Sequence, residues 1–102
     1  MADQQFIYFM RAKRFEMLVD GPTEEEQRVI GEHSNYLQRR AAEGVVVLAG
    51  RTTNNDENTV GIVIVNAADE TAARAFMESD PFVRSGLMNA TLFPFRVAYK
   101  AA

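Results

Sequence analysis

The sequence contains no cysteine and a single histidine, His33. Without cysteine there is no disulfide, no thiolate nucleophile and no Fe–S or cysteine-bound zinc centre. Positive charge is also scarce. The counts of Lys+Arg and Asp+Glu are 11 and 14, giving a net charge of −3 and a pI near 5.1. Nucleic-acid binding calls for a basic stripe, and attraction to anionic lipid calls for a basic surface, so neither partner is expected. No apolar run approaches the roughly 20 residues of a membrane span. The first residues, Met1-Ala2-Asp3-Gln4-Gln5, lack the positive stretch that opens a secretory signal. The expectation is a soluble cytoplasmic protein. No dinucleotide-binding glycine fingerprint, Walker A loop or G-x-S-x-G elbow occurs.

What is present suits a globular chain. Hydrophobic residues make up 47% and charged residues 25% of 102 positions, which predicts one domain over 1–102 rather than disorder. Phe6-Ile7-Tyr8-Phe9-Met10 reads as a buried strand. Arg11 to Val19 reads either as its extension or as a loop, and Asp20-Gly21-Pro22 as a turn. Thr23 and Glu26 form a capping box that opens a helix from about Glu24 to Glu43. Ile30, His33, Leu37 and Ala41 share one face of it, flanked by Val29 and Tyr36. Gly44 suits its end.

Val45 to Ala49 is a second strand, and Arg51 to Asn58 a polar hairpin loop. Thr59 to Val65 is a third strand whose near-continuous apolar character calls for cover on both faces. Asp69 caps a second helix over Glu70 to Ser79, with Ala72, Ala75, Phe76 and Ser79 inward, and Asp80-Pro81 stops it. Phe82 to Met88 is a linker with room for one helical turn ended by Gly86. Thr91 to Tyr99 is the last strand, and Pro94 places it at an edge or bulge. The order β-α-β-β-α-β predicts an α+β, ferredoxin-like antiparallel sheet with both helices on one face. The third strand's uncovered face predicts a homodimer.

Few residues carry chemistry. His33, between Ile30 and Leu37, reads as a core-edge histidine bonded to a backbone carbonyl or as a general acid/base at a cleft. Asp80 reads as a turn residue, yet an acid at the negative end of a helix requires a specific partner. With both helices on one face, His33 can approach Asp80, and a carboxylate beside an imidazole orients it and fixes its tautomer. Asp56, Glu57 and Glu24 to Glu26 read as solvated charges. The five methionines read as core fillers. No spacing suggests a metal site, and no cofactor is called for.

The succession His33 with Tyr36-Leu37, Gly44, Leu48-Ala49-Gly50-Arg51-Thr52, Gly61-Ile62-Val63-Ile64, Asp80-Pro81-Phe82-Val83, Gly86-Leu87-Met88 and Phe93 to Ala98 resembles the YciI-like (YCII-related) proteins. The resemblance spans Phe6 to Tyr99. It implies the dimeric α+β barrel arrangement, with sheets face to face, and His33 and Asp80 as an active-site pair. Tyr8, Tyr36 and Phe82 are then candidate walls of a small-molecule site. Arg51 is a candidate for an anionic group of the ligand, or else a solvated loop residue. The expected function is a cofactor-independent lyase, isomerase or hydrolase acting on a small, cyclic or aromatic molecule. The alternative is a non-catalytic ligand-binding or accessory module.

Overall fold

The computed structural model describes residues 3–102. Four strands, β1 (Gln4–Ala12), β2 (Val46–Arg51), β3 (Gly61–Ala67) and β4 (Met88–Phe95), form one antiparallel sheet in the order β2-β3-β1-β4. Between them lie α1 (Glu16–Val19), α2 (Glu24–Ala42), α3 (Glu70–Ser79) and α4 (Pro81–Arg84). The two long helices cover one face of the sheet, as the β-α-β-β-α-β pattern predicts. Two single-turn helices are added: α1 within the stretch that sequence left between strand and loop, and α4 within the linker after Asp80.

Period-two alternation decides what the helices cover. In β1, Phe6, Tyr8 and Met10 point into the core, where they meet Val63 and Val65 of β3 and Val29, Phe76 and Met77 of the helices. Ile7, Phe9, Ile62, Ile64 and Phe93 point the other way, by the register that pairs Ile7 with both Ile64 and Phe93. On that second face Ile7 and Ile64 are buried among their neighbours, whereas Phe9, Leu48, Phe93 and Phe95 remain between 38% and 49% exposed.

Several boundaries differ from the sequence reading. β4 starts at Met88 and ends at Phe95, rather than running from Thr91 to Tyr99, because β1 extends to Ala12 and offers Met88 to Ala90 partners there. Pro94 lies in this edge strand, where its missing N–H interrupts no second ladder. The inner face of α3 is Ala73, Phe76 and Met77; Ala72, Ala75 and Ser79 are exposed. In α2 the buried line is Glu26 and Val29, Ile30 and Leu37 are half-buried, and Ala41 is exposed. Arg51 belongs to β2, not to the loop.

The capping box of α2 is present. Glu26 N–H donates to Thr23 Oγ1 at 3.1 Å, and Thr23 N–H donates to Glu26 Oε1 at 2.8 Å. Glu26 does more than cap. Arg14, in the connection after β1, grips both carboxylate oxygens, at 2.9 and 2.5 Å. This fork holds the β1–α2 connection against the start of α2. The Arg14 guanidinium, aided by Thr23, holds the Glu26 carboxyl down to about 2. Its folded value lies below its usual 4.5, so its contribution is complete above that pH and is lost as pH falls toward about 2. Replacing Glu26 with Gln is expected to lower the thermal midpoint at neutral pH and to flatten the loss of stability across that acid window. Melting curves over pH for both proteins check this, and an unchanged acid slope would contradict it.

Candidate active site

Asp80 is fully buried, with 0% exposure. It ends α3, and its backbone N–H donates to Met77 O at 3.1 Å. It also caps α4: Phe82 N–H donates to its Oδ1 at 3.0 Å, with Pro81 at the first helical position. This resolves the oddity of an acid at a helix C-terminus. The carboxylate serves the positive end of the next helix, where such caps are favoured.

Two side chains complete its shell. Tyr8 Oη–H donates to Asp80 Oδ2 at 2.7 Å, and His33 Nδ1 lies 2.7 Å from Oδ1. A buried carboxylate is tolerated only when its oxygens are hydrogen-bonded, and here three donors from β1, α2 and α4 do so. Burial, reinforced by the nearby Asp80 charge, pushes the Tyr8 phenol far above its usual 10, so it stays a donor. With a carboxylate as partner, Nδ1 is the nitrogen that carries a proton in the neutral tautomer, and Nε2 is the one left to accept. Nε2 makes no hydrogen bond among the described residues. The Phe82 ring stacks on the imidazole, 3.7 Å between centroids and 20° from parallel, and holds its plane.

His33 and Phe82 line a cavity of about 610 Å³ between the sheet and α2. Its walls are mostly apolar, with Met10, Met17, Ile30, Leu37 and Met88 prominent. Leu18 and Pro22 of the connection clamped by Arg14 close one side, and Arg51 lies on the sheet side. The volume and apolar lining are those of small-molecule sites, and the imidazole is a polar group of the kind that fixes orientation in them.

The structure thus brings together four of the six sequence-derived site residues, His33, Asp80, Phe82 and Tyr8, and sets Arg51 in the wall of the same cavity. Tyr8 lies beneath the site as the partner of Asp80 rather than in the cavity wall, with 0% exposure. Tyr36 stands apart: its hydroxyl donates to Phe76 O at 3.0 Å, its ring packs on Phe76, and it borders a separate groove beside Arg40. The Tyr8–Asp80 bond was the feature that sequence did not expose. Its one signal is that Asp80 continues the buried stripe of Ala73, Phe76 and Met77, which aims it at the sheet. Among the described residues no cluster of three His, Asp or Glu side chains forms a metal site, and no helix is long and apolar enough to cross a membrane.

The sheet order, the one-sided helices and the cavity beneath them define a ferredoxin-like α+β protein with the subunit fold of the dimeric α+β barrel proteins. The chain belongs to the YCII-related domain family, whose model matches residues 6–96. Among solved structures it is similar to 5-chloro-2-hydroxyhydroquinone dehydrochlorinase (TftG) from Burkholderia phenoliruptrix, in complex with 2,5-dihydroxybenzoquinone. That match has a TM-score of 0.63 at 20% identity and covers 89% of this chain and 93% of that one. It is similar to an uncharacterized protein from Thermotoga maritima, with TM-score 0.56, 9% identity and coverage of 94% and 100%. It is also similar to SnoaB, a cofactor-independent oxygenase from Streptomyces nogalater, with TM-score 0.50, 13% identity and coverage of 98% and 97%. At these identities the likeness is one of fold. No curated protein matches the chain.

Replacing Tyr8 with Phe strips one donor from the buried carboxylate while keeping the ring. An unsatisfied buried acceptor costs about 1–3 kcal/mol, so unfolding stability is expected to fall by that amount. Urea denaturation checks this, and a difference near zero would mean that Tyr8 does not support Asp80.

Proposed function

We propose that this protein is an enzyme of the small-molecule acid–base kind, in which His33 moves a proton at Nε2 and Asp80 positions it. The observation that carries this reading is the pairing of His33 Nδ1 with a fully buried Asp80, 2.7 Å apart, beside an apolar cavity. Asp80 holds the imidazole in one tautomer and offsets the charge it gains when Nε2 takes a proton. Phe82 keeps the ring from turning. A single base that takes a proton and returns it, or takes it as a neighbouring group departs, suits isomerase or lyase chemistry on a compact, cyclic or aromatic molecule. No cofactor enters this scheme. The names of two fold neighbours, a dehydrochlorinase bound to a dihydroxybenzoquinone and a cofactor-independent oxygenase, are consistent with such a role.

The test is turnover on a panel of enolisable and halogenated cyclic compounds, followed by proton-exchange NMR. Replacing His33 with Gln is expected to lower the rate about 10²- to 10⁴-fold, the usual size of a general acid–base contribution. Wild-type turnover that survives the replacement would end the proposal. Saturable ligand binding with no turnover on any compound would favour a binding module instead.

The working unit in this reading is a homodimer joined through the open sheet face. Support comes from the two-sided apolar character of β3 and from Phe9, Leu48, Phe93 and Phe95, which together leave an apolar patch uncovered. Light scattering is expected to give a dimer mass for the wild type. Replacing the half-exposed Phe93 with Glu should give a folded monomer. A monomeric wild type at micromolar concentration would refute the assembly.

A further inference from the structure

We propose that the cavity takes a compact monoanion, with its charge on a carboxylate or phenolate oxygen and an apolar, ring-sized body, and that Arg51 is the counter-charge. This rests on the reading of the same cavity as the substrate site and gives that site a substrate class.

The first support is the charge of the walls. The chain is net negative, yet no Asp or Glu lines this cavity among the described residues. The groups there able to bear charge are His33 and Arg51. Such a lining offers one permanent positive charge, that of Arg51. A second negative charge on the ligand would have no permanent positive charge to offset it among these lining residues.

The second support is how Arg51 reaches the cavity. Along β2 the pairing runs Val46 with Val65, then Leu48 with Ile64, so Val47 is an extra residue in a bulge. Val46 faces the helices beside Val65. Simple alternation from Val46 would send Arg51 to the opposite face of the sheet. The bulge reverses the phase, so Ala49 and Arg51 share the helix side with their partners Val63 and Gly61. Gly61, directly across from Arg51, has no side chain, and Met10 packs against the position where its Cβ would stand, so Arg51 has no cross-strand side chain from Gly61 beside it.

The third support is the state of the guanidinium. Its Nε donates to Thr52 O at 2.9 Å and its Nη2 donates to Asn55 Oδ1. Both acceptors are neutral, so they orient the fork without cancelling its charge. Arg51 takes part in no ion pair among the described residues, whereas Arg14, Arg28, Arg40 and Arg74 each hold a carboxylate. A planar oxyanion suits the Arg51 fork, and the remaining walls suit a ring.

The test is calorimetric binding of benzoate, nitrophenolate, benzyl alcohol and benzylamine to the full chain, with melting curves as a control on folding. Benzoate and nitrophenolate separate carboxylate from phenolate, and preference for either supports the proposal. At least one anion is expected to bind about tenfold more tightly than the neutral alcohol, and the amine to bind least. Two changes at exposed positions should remove this preference: Arg51→Gln, which deletes the charge, and Asn55→Asp, which neutralises it in place. Equal affinity for alcohol and anion, an anion preference that survives Arg51→Gln, or no saturable anion binding at all would overturn the proposal. Anion binding is also measured in His33→Gln. Binding kept there and lost in Arg51→Gln supports the substrate class whatever turnover shows. Turnover that depends on His33 without any anion preference overturns the class and leaves the acid–base reading standing.

Discussion

A carboxylate with no access to water must be satisfied by the chain itself, and in this protein that carboxylate is Asp80. Its oxygens receive a phenol from β1, an imidazole from α2 and an amide from the start of α4. These groups are separated by 72, 47 and 2 residues, so the carboxylate can be satisfied only when the sheet and the helices have come together. The buried charge makes the arrangement exacting, because a missing donor leaves a polar atom stranded in an apolar core. The same demand fixes the imidazole. Holding Nδ1 to Asp80 also fixes the imidazole of His33 in the cavity lining, so satisfying the core and orienting this ring are one constraint.

The cavity follows from how little of the helix layer meets this part of the sheet. Ile30 and Leu37 are only half-buried on α2, while Val29 is tightly packed. The gap is walled by the connection that Arg14 and Glu26 pin to the start of α2. Three methionines, Met10, Met17 and Met88, line it, and their unbranched side chains can adjust to different occupants. Among the described residues no helix covers the opposite face of the sheet, which carries the exposed rings of Phe9, Phe93 and Phe95. One sheet thus separates a cavity lined by His33 and Arg51 from an apolar surface.

Much of this was legible in local patterns. Thr23 and Glu26 announced α2 because a capping box is a contact over three residues. Gly44 closes that helix in the left-handed conformation it favours, at φ 80°. Asp80-Pro81 marked a break because proline cannot continue α3 but suits the first turn of α4. Other features resisted. In α3, Ala72 and Ala75 are too small to declare a facing, and the packed side proved to be Ala73, Phe76 and Met77. The end of β4 depended on how far β1 ran, which is a partner's property. The bulge at Val47 leaves no mark in an apolar run, so Arg51 read as loop although it ends a strand.

The sequence by itself determined the alternation of strands and helices, their caps and turns, and the presence of a lone histidine and a proline-stopped aspartate. These are short-range matters of backbone geometry, hydrophobic period and residue chemistry. The tertiary structure alone decided that Tyr8 meets Asp80 while Tyr36 turns away to Phe76, that His33 joins Asp80 at the edge of a cavity, and that Arg51 stands on the cavity side of the sheet. Such outcomes depend on strand register and on which side chains satisfy a buried charge, and both arise only between segments far apart in the chain.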